Sequence, residues 1–125
     1  SGLIEVALKQ HVSDRTDWRK MLKGDAEPLD LAVVRDQLAE ECSEQIAEIQ
    51  QRFGSENITY LPDETAVDIQ YPVTQYPQKV KSHNLDKTPS IEGVLLGIKG
   101  QYLIMDTGVI NIRKYSGYKL DVDLI

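Results

Sequence analysis

The feature that most constrains this chain is a change of rhythm near residue 54. Before it, apolar side chains recur at helical spacing; after it, they alternate every second residue. Leu31, Val34, Leu38, Cys42, Ile46, Ile49 and Phe53 form one stripe, with Glu40, Glu41, Glu44 and Glu48 mostly on the wet side. Gly54 follows as the expected left-handed terminator. Beyond it, Val67, Ile69, Tyr71 and Val73 alternate with Asp68 and Gln70. Helices first and strands after predict an α+β fold, in which N-terminal helices pack on a C-terminal antiparallel β-meander, either a sheet or a small open barrel. Residues 1–54 are read as the helical part and 55–125 as the β part of one compact domain, the chain having the length of one domain.

Within the first part, Leu3, Ile4, Ala7, Leu8 and Val12 predict a helix supported by Glu5 and Lys9 at i,i+4. Ser13 or Thr16 is the expected cap of a second short helix through Trp18, Met21 and Leu22, stopped at Gly24. Pro28 suits the first turn of a long third helix. An apolar, periodic start at residue 3 predicts a fragment of a longer protein. The missing N-terminal region is then the natural partner of Leu3, Ile4 and Ala7, and a homodimer is the alternative cover for that face.

In the second part, Gln-Tyr-Pro occurs at 70–72 and again at 75–77, which predicts an edge strand or irregular crossing. Lys99-Gly100, Thr107-Gly108 and Ser116-Gly117 divide residues 91–124 into four short strands. Tyr102 to Met105 has no polar break, so it should be central, covered on both faces, with the long helix as the cover. The last strand should turn Tyr118, Leu120, Val122 and Leu124 inward. The expected core is Leu31, Val34, Leu38, Ile46, Leu103, Ile104, Ile110, Ile112, Leu120 and Val122.

Several function classes are disfavoured by composition. The apolar runs are far shorter than the ~20 residues of a membrane span, and the N-terminus lacks the pattern of a signal peptide. One cysteine permits no internal disulfide, which fits a reducing, cytoplasmic setting. Twenty acids against 14 bases give −6, distributed as −5 over residues 1–60 and −1 over 61–125. Such a chain repels phosphate backbones on average, leaving only a local basic strip as a nucleic-acid contact.

Three candidate sites are weighed from residue type and spacing. Asp106-Thr107-Gly108, after Leu103-Ile104-Met105, has the form of an aspartic-protease loop, of which a homodimer would supply two. Val109 and the early position of Leu95-Leu96-Gly97 depart from that pattern, and a hairpin turn is the simpler reading. His11, His83 and Cys42 are too scattered for a zinc site, and Cys42 belongs to the apolar stripe. No metal or other cofactor is expected. The best internal site is a basic and aromatic strip for single-stranded nucleic acid: Lys79, Lys81 and His83 on one extended face, with Arg113, Lys114 and Tyr115.

Gly2-Leu3-Ile4-Glu5-Val6-Ala7-Leu8-Lys9 with Trp18-Arg19-Lys20-Met21-Leu22, and Gly97-Ile98-Lys99-Gly100-Gln101-Tyr102-Leu103-Ile104 with Val109-Ile110-Asn111-Ile112-Arg113-Lys114 and Ser116-Gly117-Tyr118, carry a resemblance. They resemble the C-terminal half of a conserved bacterial family of unknown function. The resemblance implies an upstream zinc-ribbon-like segment and a GIY-YIG-nuclease-like module, with Glu5 where that module's metal-holding glutamate would stand. Its strand Tyr and Arg partners would precede Ser1, and the plainer role of Glu5 is to pair with Lys9. The chain is therefore read as a non-catalytic structural or binding domain. The alternatives are a nucleic-acid-binding module, a nuclease remnant and a dimeric acid protease.

Overall fold

The computed structural model describes residues 2–13 and 15–125. The chain is α+β, with helices in its N-terminal half and a three-stranded antiparallel sheet in its C-terminal half. It falls into two compact units: Ser1–Thr16 with Glu27–Asp68, and Asp17–Ala26 with Ile69–Ile125.

The helical unit contains α1 (Gly2–Leu8), α3 (Leu31–Glu41) and α4 (Ser43–Phe53). The helix expected over 3–12 ends at Leu8, whose carbonyl takes both the His11 and the Val12 N–H and so tightens the chain into a turn. Asp30, not Pro28, begins the next helix; its carboxylate accepts the N–H groups of Ala32 and Val33. The expected single long helix is two, divided at Cys42 by a backbone of φ −101° and ψ 11°. Gly54 takes the positive φ of a glycine stop, but its ψ of 135° leads the chain out extended. Only Ala7 and Cys42 are buried among this unit's described residues, the thiol lying 3.9 Å from the Ala7 carbonyl. Val34, Leu38 and Ile46 are half-buried, whereas Leu31, expected in the core, is exposed. A three-helix unit this short has too little depth to enclose a whole stripe.

The β unit contains α2 (Trp18–Lys23), β1 (Leu95–Lys99), β2 (Tyr102–Met105) and β3 (Gly108–Asn111), in sheet order β1-β2-β3. The N-terminal cap of α2 is Asp17, whose carboxylate accepts the Lys20 N–H; Gly24 ends the helix at φ 76°. As expected, β2 is central. Its cover is α2: Leu22, Ile104 and Val109 form the buried core, and Trp18 stacks on Tyr102 at 5.9 Å.

One run of chain, residues 72–83, is paired to both outer edges of the sheet. Thr74 N–H donates to the Leu96 carbonyl and Ile98 N–H to that of Pro72 on the β1 side; His83 N–H donates to Val109 and Val109 N–H to Lys81 on the β3 side. Two glycines make these approaches possible. A Cβ at Gly97 would lie 2.8 Å from the Val73 Cα, and one at Gly108, where φ is +150°, would lie 2.6 Å from the Lys81 carbonyl oxygen. This strap explains what the alternation over-predicted. The strand expected at 67–73 is reduced to its last residues, with Val67 and Ile69 exposed. The fourth meander strand does not form, because the edge of β3 it would pair with is already taken by residues 81–83. After β3 the chain instead enters a 3₁₀ turn, Ile112–Tyr115, and leaves Ile112, Leu120 and Val122 exposed.

Candidate nucleic-acid interface

Lys79 and Lys81 line an open groove of about 430 Å³ whose other wall is the β2–β3 hairpin, Met105–Val109. The strap places them there, since Lys81 is hydrogen-bonded to β3 through its carbonyl. Among the described residues neither lysine has a carboxylate within the 4 Å of an ion pair.

Asp106-Thr107-Gly108 forms a two-residue hairpin turn, Met105 pairing with Gly108. Its side chains tie a polar knot. One Asp106 carboxylate oxygen accepts the Val94 N–H at 2.9 Å, and the Asp106 N–H donates to the Val94 carbonyl at 3.0 Å. The Thr107 hydroxyl lies 3.3 Å from the Glu92 carbonyl and 3.1 Å from His83 Nε2. These contacts tie the hairpin turn to residues 83, 92 and 94 and so hold the groove wall.

Arg113, Lys114 and Tyr115 stand on the 3₁₀ turn, and residues 81–86 link them to the groove. Tyr115 is buried; its hydroxyl accepts the Leu85 N–H at 2.9 Å, and its ring meets Tyr118 edge-on at 5.4 Å. It supports the turn from below and presents no free face. Lys114 lies 3.8 Å from Asp86, which also accepts the Tyr118 hydroxyl at 2.7 Å. That hydrogen bond raises the Tyr118 phenol above its ordinary value. Arg113 is exposed, with no acid in ion-pair range among the described residues.

A second cation–aromatic group escaped the sequence reading. Lys99 Nζ donates to the Met21 carbonyl at 3.0 Å and the Tyr76 hydroxyl at 3.3 Å, and it lies 4.8 Å and 5.5 Å from the Tyr76 and Tyr71 ring centres. The Arg19 guanidinium covers Trp18 at 4.3 Å. The Gln-Tyr-Pro echo was the available signal: each proline fixes the chain after a tyrosine, and the strap brings both rings to Lys99.

Charge follows the units, not the halves of the sequence. The β unit has ten bases and seven acids, or +3; the helical unit has four bases and thirteen acids, or −9. In the latter, Glu5 is exposed on α1 beside a shallow depression lined by Leu8, Lys9, Val12 and Ser13. The Glu5–Lys9 contact is the backbone helix bond, not an ion pair within 4 Å. Arg35, Asp36 and Tyr60 form a hydrogen-bonded cluster. Arg35 lowers the Asp36 carboxyl below its usual range, and Asp36 raises the Tyr60 phenol. Among the described residues no three His, Cys, Asp or Glu side chains are grouped to hold a metal ion, and no helix is long and apolar enough to cross a membrane.

The sequence matches the family described as "Protein of unknown function (DUF2797)" over residues 1–120, and the chain belongs to that family. No curated protein and no solved structure matches it.

Proposed function

We propose, from membership in a family of unknown function and from the site geometry, that this is a non-catalytic binding domain whose β unit grips single-stranded nucleic acid. Lys79, Lys81, Arg113 and Lys114 would take phosphates, and the exposed rings of Tyr71 and Tyr76 would stack on bases. The observation that supports this reading most is the segregation of charge. An overall −6 conceals a +3 unit, and within that unit the groove lysines are unpaired. A basic face on a small sheet with exposed aromatics is the electrostatic footprint of a strand-binding module. The family resemblance would imply a bacterial source and an upstream nuclease-like module, to which this domain would deliver its substrate strand, and the single cysteine fits a cytoplasmic setting; the gene sequence upstream of Ser1 tests the module.

The experiment is fluorescence anisotropy with a labelled oligonucleotide of about 12 nucleotides, titrated over a range of salt. Single strands should bind, and affinity should fall linearly with the logarithm of salt. Lys79→Ala with Lys81→Ala should weaken binding for every sequence and flatten the slope by about 1.4, two contacts at roughly 0.7 each. Absence of binding at low ionic strength would dispose of the proposal.

A further inference from the structure

The helical unit leaves an apolar groove open. Ile4, Leu8, Leu38, Ala39, Ile46 and Ile58 surround a cavity of about 360 Å³ between α1, α3, α4 and the chain at 58–60. A second cavity of about 240 Å³ shares Ile4 and Ile58 and runs on past Ile49 to Phe53. Along α4 the floor is thus Ile46, Ile49, Gln50 and Phe53, the i, i+3, i+4, i+7 series, which covers two turns or roughly 10 Å. An amphipathic helix laid in a groove presents anchors at those same intervals.

Among the described residues the lining itself holds no acid, and Arg35 is its one charged residue; the net charge of the unit selects the occupant. The unit carries −9, and Arg35 at the cavity rim is neutralised by Asp36 at 2.8 Å. Of the other described acids in this unit, only Glu41 has a basic partner, His11 at 3.3 Å. A fatty carboxylate or a second copy of this unit would bring like charge to the site, whereas a cation would be drawn in. We propose that the groove between α1 and α4 docks a cationic amphipathic helix of another protein, its apolar side chains in the two cavities and its Lys and Arg residues outward, drawn by the net negative charge of the unit. The proposal concerns the helical unit alone and stands or falls separately from nucleic-acid binding.

Two synthetic helices test it on the whole chain. Both carry leucine at i, i+3, i+4 and i+7; one has lysine at the outward positions and the other glutamate. Binding is read by anisotropy and by amide shifts of the ¹⁵N-labelled protein. The lysine peptide should bind at least about tenfold tighter than the glutamate peptide. Its affinity should fall with salt, and its largest shifts should lie at Ile4, Ile46 and Ile58. Phe53→Ala, at an exposed position whose loss leaves the fold in place, should weaken it severalfold, as should Ile46→Asp in protein shown by its spectrum to be folded. Equal affinity for the two peptides, no binding by either, shifts confined to the β unit, or sedimentation showing a dimer closed by this face would each overturn the proposal.

Discussion

Replacing Leu22 by alanine should come close to unfolding the β unit. Leu22 is fully buried and meets Ile104 and Val109, which are fixed by the strand ladder and cannot close over the void. Buried Leu→Ala changes cost about 2–5 kcal/mol, the upper values arising where neighbours cannot relax. Here α2 has six residues and can shift on its two flanking loops, so about 3–4 kcal/mol is expected. A unit of roughly 70 residues has only about 3–10 kcal/mol in total. Trp18, the one tryptophan, stacks on Tyr102 and reports on this core directly. Its fluorescence in a urea titration should show the midpoint lowered by about 2–4 M, for a slope near 1–1.5 kcal/mol/M. Leu120→Ala, in the exposed C-terminal segment, should move it by less than about 0.5 kcal/mol. A Leu22→Ala loss below about 1 kcal/mol would refute the account of α2 as the lid of the sheet.

The two seams of the strap can be opened separately. Gly97→Ala should release the Val73 side and Gly108→Ala the Lys81–His83 side, each costing about 1–3 kcal/mol and each exposing the amides of Ile98 or Val109 to faster hydrogen exchange; unchanged protection at both would show that the backbone tolerates a Cβ there. Tyr60 and Tyr118 should each ionise above the ordinary phenol value of 10.0 in a residue-resolved NMR titration, each held by a carboxylate, Asp36 and Asp86. For a raised phenol the stabilisation is present below its unfolded value of 10.0 and is lost as pH climbs through the folded one. Asp36→Asn should return the Tyr60 midpoint towards 10.0, and midpoints at or below 10.0 for both Tyr60 and Tyr118 in the unaltered protein would contradict both hydrogen bonds.

How much of this was legible depends on whether a residue's neighbours are near it in sequence. The α+β order, the centrality of Tyr102–Met105 and the hairpin at Asp106-Thr107-Gly108 follow from local rhythm and turn chemistry, and all are present. Rhythm misled where pairing edges were scarce. Tyr118, Leu120, Val122 and Leu124 alternate as well as any strand, yet β3 has one outer edge, and the strap occupies it. Tyr115 sits beside two cations in sequence, a pattern that predicts a stacking ring, but the chain at Leu85 comes over it and donates its N–H to the hydroxyl. Lys79 and Lys81 do face a groove; the Lys99 cluster is assembled from residues near 20, 70 and 100, and the Gln-Tyr-Pro echo marks its two tyrosines without showing what they meet.

Both units are discontinuous in the chain. Residues 17–26 lie, in sequence, between two segments of the helical unit, but they belong to the sheet. A fragment of residues 55–125, the natural cut by periodicity, would therefore contain every strand and lack Leu22, Met21 and Trp18. Ile104 and Val109 would then be uncovered on the side that α2 fills. Lys99 would also lose the Met21 carbonyl. Burying a leucine contributes about 1.5–3 kcal/mol, and with Trp18 and Met21 gone as well the deficit matches the whole stability of so small a unit. The fragment should give the narrow amide dispersion and dye binding of a collapsed, unpacked state. Residues 17–26 joined by a short glycine-serine linker to 69–125 should give a dispersed spectrum. If 55–125 folds unaided, α2 is an ornament on a self-sufficient sheet, and the reading of Leu22 as part of its core fails.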